Sequence, residues 1–331
     1  MGDYKKQHYV PKSYLREWSS DGRRIWLFDK QTGESRNVGI RSVAQATYFN
    51  DAFRRIRGQV TDGEPPDLME RQFQTWENDF LMMRQVALDV AANRRGGSLA
   101  ERRTMSVCAA IQLLRTAKAR SLLLQEAAEY QSGQSNGLID WLDEPLRQRM
   151  VHVPGFAQEH ISMIQACLLW NTNIIPHIAT ELYHYLWVIA KNLTQFPFYT
   201  SDAPVAALTH GAEQPPYYPT PRLHSGPSKG WPLVKQLFCE KPLERGLELI
   251  FPVSPKCAML MFHPFDFEKE FGDKQGKVLV VGEQSVQICN IAIAGAAVRQ
   301  VLSLTDDFQM ADLAVRYAKR KRDKLSNGYA E

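Results

Sequence analysis

The segment QHYVPKSYLREW, residues 7–18, sets an imidazole (His8), two phenols (Tyr9, Tyr14), a guanidinium (Arg16) and an indole (Trp18) close together near the start of the chain. Chain ends fray unless something ties them down, so such a cluster points to a built site. His8 titrates near neutral pH and can act as general acid or base. Two distant residues complete a working set. Asp202, in FYTSDAPV, can orient an imidazole or accept a proton, and Arg115, in IQLLRTAKAR, can hold a carboxylate or phosphate through paired hydrogen bonds. His8, Arg115 and Asp202 together suit phosphodiester cleavage without a metal. Ser201 offers a nucleophile with His8 as base, which turns the same set towards acyl transfer. FYTSDAP lacks the Gly-x-Ser-x-Gly elbow, so acyl transfer ranks second. Tyr9, Tyr14, Ser201, Asn290 and Arg299 are the candidate substrate contacts.

Each residue also has a structural reading. His8 and Tyr9 can fasten the first segment to the body, Asp202 can cap a turn before Pro204, and Arg115 can be the buried partner of Glu70 or Glu77. His177, Glu181 and His184 stand at i, i+4 and i+7 in PHIATELYHYLW, on one helix face where they could contribute to a metal site. A two-metal bundle needs Glu-x-x-His twice and a zincin needs His-Glu-x-x-His; the chain has one copy of the first and none of the second. The expectation is a polar seam between helices, with no metal and no cofactor. Phosphate-binding and dinucleotide-binding glycine motifs are likewise absent, as is a Glu-x-Lys triplet of metal-dependent nucleases.

The elements that must position these residues are helical in the middle and strand-like at both ends. IWLFDK and RNVGI flank a turn at Gln31 to Glu34 and predict a hairpin. Phe73, Trp76, Phe80, Met83, Val86 and Val90 recur at helical spacing and predict a helix over 68–93. Ser98 and Glu101 form a capping box that opens a second long helix, carrying Val107, Ile111, Leu114, Ala117 and Leu122 to a loop at 131–137. Further helices are expected over 154–170 and 173–192, then extended segments around Asp202. A Pro- and Gly-rich loop at 211–232 precedes ELIFPV, CAMLMF and KVLVV as strands, and a helix over 283–302 leads to a basic terminal one. The fold class read from this order is α+β: a helical bundle over 66–192 packed on one sheet made from the hairpin of 1–60 and the strands of 193–331.

At 331 residues and 44% apolar content the chain can bury a sizeable core. The apolar stretch 161–190 is interrupted by Asn171, Asn173, His177, Glu181 and His184, so no membrane span is expected, and the polar start gives no signal peptide. A cytoplasmic setting follows, in which Cys108, Cys167, Cys239, Cys257 and Cys289 read as reduced core residues. The net charge of +4 names no partner. Arg316, Lys319, Arg320, Lys321, Arg322 and Lys324 crowd into the last helix, enough to touch phosphates, although a solvated helix ranks first. Tyr9, Tyr14, Trp18, Tyr217, Tyr218 and Trp231 could stack unpaired bases, a role that ranks below ordinary packing.

Four separated pieces, QHYVPKSYLREW, IQLLRTAKAR, FYTSDAPV, and LIFPVSPKCAMLMF with NIAIAGAAVRQVLS, together resemble the bacterial family called domain of unknown function 4238, whose members open on His-Tyr-Val-Pro. The resemblance covers nearly the whole chain and implies a single domain. The family often has Asn where this chain has Ala203, so any role of that amide is lost here. The family carries no assigned activity, so function rests on residue chemistry. The expectation is a metal-independent, RNA-directed nuclease serving in defence or as a toxin effector, with RNA or a single-stranded nucleic acid as partner. The alternative is a non-catalytic protein that binds a ligand or a regulatory partner at the same positions.

Overall fold

Turn residues punctuate the apolar runs, and the elements follow. The computed structural model describes residues 6–47, 49, 68–130, 138–171, 173–210 and 245–326. The chain opens with β1 (Lys6–His8), a single helical turn α1 (Lys12–Leu15) and a 3₁₀ turn at Arg16–Trp18. The hairpin follows as β2 (Arg24–Asp29) and β3 (Glu34–Gly39), paired from Arg24↔Gly39 to Asp29↔Glu34. Gly33 turns it at φ +74°, a region open to glycine. A short β4 (Gln45–Thr47) returns to pair antiparallel with β1.

Among the described residues six α-helices come next: α2 (Leu68–Ala91), α3 (Leu99–Leu114), α4 (Ala117–Tyr130), α5 (Glu144–His152), α6 (Phe156–Asn171) and α7 (Ile174–Tyr183). Phe73, Phe80, Met83, Val86 and Val90 are buried on α2, and the capping box of Ser98 and Glu101 opens α3. The second long helix expected from the sequence is two, broken at Arg115–Thr116. The Gln165 amide donates to the carbonyls of Leu114 (2.7 Å) and Thr116 (3.1 Å), which stops α3 there. Thr116 Oγ1 then accepts from Ala119 N at 3.3 Å and starts α4.

The remaining elements are β5 (Leu186–Asn192), β6 (Thr200–Ser201), β7 (Ala206–His210), β8 (Arg245–Ser254), β9 (Cys257–Phe262), α8 (Pro264–Phe271), β10 (Val278–Val281), α9 (Glu283–Ala296), β11 (Gln300–Ser303) and α10 (Gln309–Ser326). Two corrections arise here. The bundle ends at Tyr183, because LWVIAKN is an inner strand and not helix, and the helix expected to 302 stops at Ala296, because QVLS is an inner strand that pairs with both β2 and β6. The single expected sheet is also replaced by separate ones. A five-stranded sheet runs in the order β10-β5-β9-β8-β7, and a four-stranded one in the order β3-β2-β11-β6.

The five-stranded sheet is covered on both faces, which explains its continuous apolar sequence. Trp187, Ile189, Met259 and Met261 point into one core with the bundle, while Val188, Ala190, Leu260 and Phe262 point into a second core with α9 and α10. The fold is α+β. No helix among the described residues is long and apolar enough to cross a membrane. The 211–232 loop lies outside the described residues.

Candidate functional site

Two side chains of the first segment act as pins. The Tyr14 hydroxyl bonds Thr200 Oγ1 (2.7 Å) and donates to the Pro252 carbonyl (2.8 Å), and Trp18 Nε1 donates to the Phe198 carbonyl at 2.7 Å. Tyr14 also stands among Trp18, Phe80 and Phe251, with ring centroids 4.8, 5.4 and 6.1 Å away. These bonds hold the preceding strand β1 against the α3–α4 break. Tyr9 N donates to Ala44 O, and Ala44 sits at φ +46°, a strained setting for a side chain bearing a Cβ. Gln300 Oε1 accepts from Ala44 N at 2.7 Å and ties this turn to β11.

His8 and Tyr9, adjacent in an extended segment, face opposite ways. On the His8 side, Arg115 is 3% exposed and its Nη2 donates to the His8 carbonyl (3.2 Å) and to Glu77 Oε1 (3.1 Å). Its guanidinium also lies 4.3 Å from the Phe73 ring centroid. Arg115 therefore joins β1, α2 and α3, and its carboxylate partner is Glu77. The His8 ring is half-buried, with Nε2 enclosed and unbonded. Burial above all, then the Lys12 charge, lowers its pKa to about 4 against a weaker opposing hydrogen bond that the ring donates to the Ile40 backbone. At neutral pH the imidazole is uncharged.

Asp202 does not reach His8, which corrects the expected catalytic pairing. Its Oδ1 accepts from Val298 N (2.9 Å), and its Oδ2 from Arg299 N (2.8 Å) and Gln300 N (3.0 Å). It is 1% exposed, and burial raises its pKa despite those three amides. Ser201 closes a turn on Ala203, whose carbonyl accepts from Ser201 Oγ at 2.8 Å. Asn290 accepts from Tyr199 N and donates to Pro197 O, so Tyr14, Ser201 and Asn290 are all engaged within the fold. His177 bonds Glu181 at 2.9 Å and faces Trp141, while His184 meets the Tyr183 ring. Among the described residues, no three His, Cys, Asp or Glu side chains are arranged to hold a metal.

On the Tyr9 side, two of the expected contacts, Tyr9 and Arg299, stand with Lys30, Lys118 and Arg120, which the sequence did not single out. Tyr9 is packed on Phe49 at 4.6 Å and feels the charges of Asp202, Arg120 and Arg299. Arg120 stacks over the Phe49 ring, bonds Gln165 Oε1 through Nε (2.5 Å) and the Phe49 carbonyl through Nη2, and burial lowers its pKa to about 9. Lys30 donates to the Ala294 and Ala297 carbonyls at the end of α9 and senses Asp202. Lys118 is lowered by burial and then by the Lys30 charge. Arg299 grips Asp29 Oδ2 through Nε (2.9 Å) and Nη2 (2.7 Å). The basic groups thus form a chain of neighbours, Arg120 and Arg299 acting on Tyr9, Lys30 on Asp202 and Lys118, and Arg299 paired with Asp29. Beside them opens a mostly apolar cleft of about 20 Å³, with Leu114, Thr116, Lys118, Leu122, Leu138 and Ala203 in its lining. A sequence signal for this did exist: RTAKAR puts Lys118 and Arg120 in the opening residues of α4, whose first turn has no acid, although a helix start favours anions.

All four sequence pieces meet here: Tyr9 from the first, Thr116 to Arg120 from the second, Asp202 and Ala203 from the third, and Val298 to Gln300 from the last. The family model described as "Protein of unknown function (DUF4238)" matches residues 6–307. The chain belongs to this family. No curated protein and no solved structure matches it. For this DUF4238 protein, site chemistry is therefore the route to function.

Proposed function

We propose that this protein binds a ligand bearing a phosphate or similar anionic group, seated at the cleft beside Lys118 and Ala203, and that binding rather than turnover is its task. The observation that supports this reading is the gathering of basic side chains at the cleft: Arg120 and Arg299 act on Tyr9, Lys30 acts on Asp202 and on Lys118, and Lys118 stands in the cleft lining. Lysines crowded together and partly desolvated gain from an incoming anion, which restores the charged form that burial and repulsion oppose. Asp202 has the role of a builder: it shapes the loop that presents Arg299. The cleft, about 20 Å³, holds little more than a water-sized group, so a single oxygen of the anion would enter it with the remainder of the ligand outside.

Thermal denaturation with inorganic phosphate, nucleoside monophosphates and triphosphates at millimolar concentrations tests this. A ligand at a hundred times its Kd adds about 2.7 kcal/mol of stability. Lys118→Ala is expected to weaken that ligand at least tenfold; no stabilisation by any phosphate compound sinks the proposal. RNA cleavage, in a defence or toxin role, is the second reading. It is favoured by the uncharged His8 imidazole with its unbonded Nε2, the form a general base requires. Chelator-insensitive RNA cleavage that disappears in His8→Ala would establish it over binding alone.

A further inference from the structure

From Arg316 to Arg320 every residue of α10 is exposed. That is more than one full turn, so the helix is wet all round and has left the body that holds its earlier residues Ala311 and Ala314. Solvated helices commonly alternate charge so that acids and bases at i and i+4 support each other. Here Arg316 has Asp312 at 2.6 Å and Asp323 follows Lys319 at i+4, but the run Lys-Arg-Lys-Arg at 319–322 sets four cations against that one acid. Like charges one turn apart oppose the helix that carries them. Two large apolar groups stand bare on the same element one turn apart, Leu313 at 49% and Tyr317 at 71% exposure.

We propose that this projecting part of α10 is a docking surface for a single-stranded polynucleotide, whose phosphates lie along Arg316, Lys319 and Arg320 and one of whose bases stacks on Tyr317. A polyanion relieves the cation repulsion along its length, and an unpaired base covers an aromatic ring that the described residues leave bare. A duplex keeps its bases stacked on each other and cannot use Tyr317. The surface shares no residue with the lining of the cleft at Lys118, so each assignment has its own variants to test it.

Fluorescence anisotropy of labelled 20-nucleotide single-stranded RNA, single-stranded DNA and duplex, titrated with the full chain, tests the surface. Single strands should bind more tightly than duplex, with affinity falling as salt rises. Lys319→Glu with Arg320→Glu should cost at least tenfold and flatten the salt dependence by about 0.7 for each cation lost. Tyr317→Ala should cost about 5- to 150-fold on single strands. All three positions are exposed, and circular dichroism checks that the fold is kept. The proposal is overturned by absence of binding at 50 mM salt, by variants that bind as the parent does, by duplex preferred over single strands, or by vesicles rich in phosphatidylserine that bind where oligonucleotides do not. Loss of oligonucleotide binding in Lys118→Ala, with the α10 variants unaffected, also overturns it.

Discussion

His8 and Tyr9 show how one peptide step separates two electrostatic environments. His8 looks towards Arg115 and Lys12 and stays neutral; Tyr9 looks towards Asp202, Arg120 and Arg299. The consequence for stability has a definite sign. As pH falls from about 6.5, the unfolded chain takes up the His8 proton before the native one does, so stability is lost down to about 4 and no further on this account. His8→Gln removes that component. Urea midpoints of parent and variant should differ by a constant above pH 7 and converge in the variant's favour between about pH 6.5 and 4; a constant difference throughout would exclude burial as the cause. Residue types make His8, Arg115 and Asp202 visible in the sequence, and Glu77 stands close enough in it to be expected as the partner of Arg115. What sequence could not supply was direction: a carboxylate serves an imidazole or three amides according to a loop, Val298 to Gln300, nearly a hundred residues away.

The elements were legible where a local rule governs them. The hairpin turn at Gly33 and the Ser98–Glu101 capping box depend on neighbours within a few positions. The α3–α4 break does not. It depends on Gln165, 2% exposed, reaching across from α6 to take two carbonyl bonds and offer its oxygen to Arg120. Gln165→Leu keeps the volume and removes all three bonds, leaving buried acceptors and a guanidinium short of a partner, at a cost of about 2–4 kcal/mol. Urea unfolding would measure it, and a change below 0.5 kcal/mol, about the level of an ordinary surface substitution, would mean the break holds without Gln165. LWVIAKN escaped for another reason: a strand buried on both faces has no polar alternation, so period cannot separate it from helix.

Across the molecule, the five-stranded sheet lends one face to each core, so neither core can lose its packing without uncovering the other. Urea unfolding followed by far-ultraviolet circular dichroism and by tryptophan fluorescence should give coincident transitions, since Trp18 and Trp187 report one core and Trp26 borders the other. Two separated transitions would assign the cores to independent units. The helical middle and extended ends were visible from composition and period, but the division into separate sheets was not. It arises from pairings such as β2 with β11, Leu27 opposite Leu302, which no local pattern encodes. Those same distant partners impose an order in time. Tyr14 must wait for Pro252, Trp18 for Phe198 and β2 for residues near 300, so this segment finds its place only after partners 180 or more positions further along have been made. Closing such long loops makes folding slow and leaves the aromatic-rich opening segment exposed to misassembly throughout synthesis.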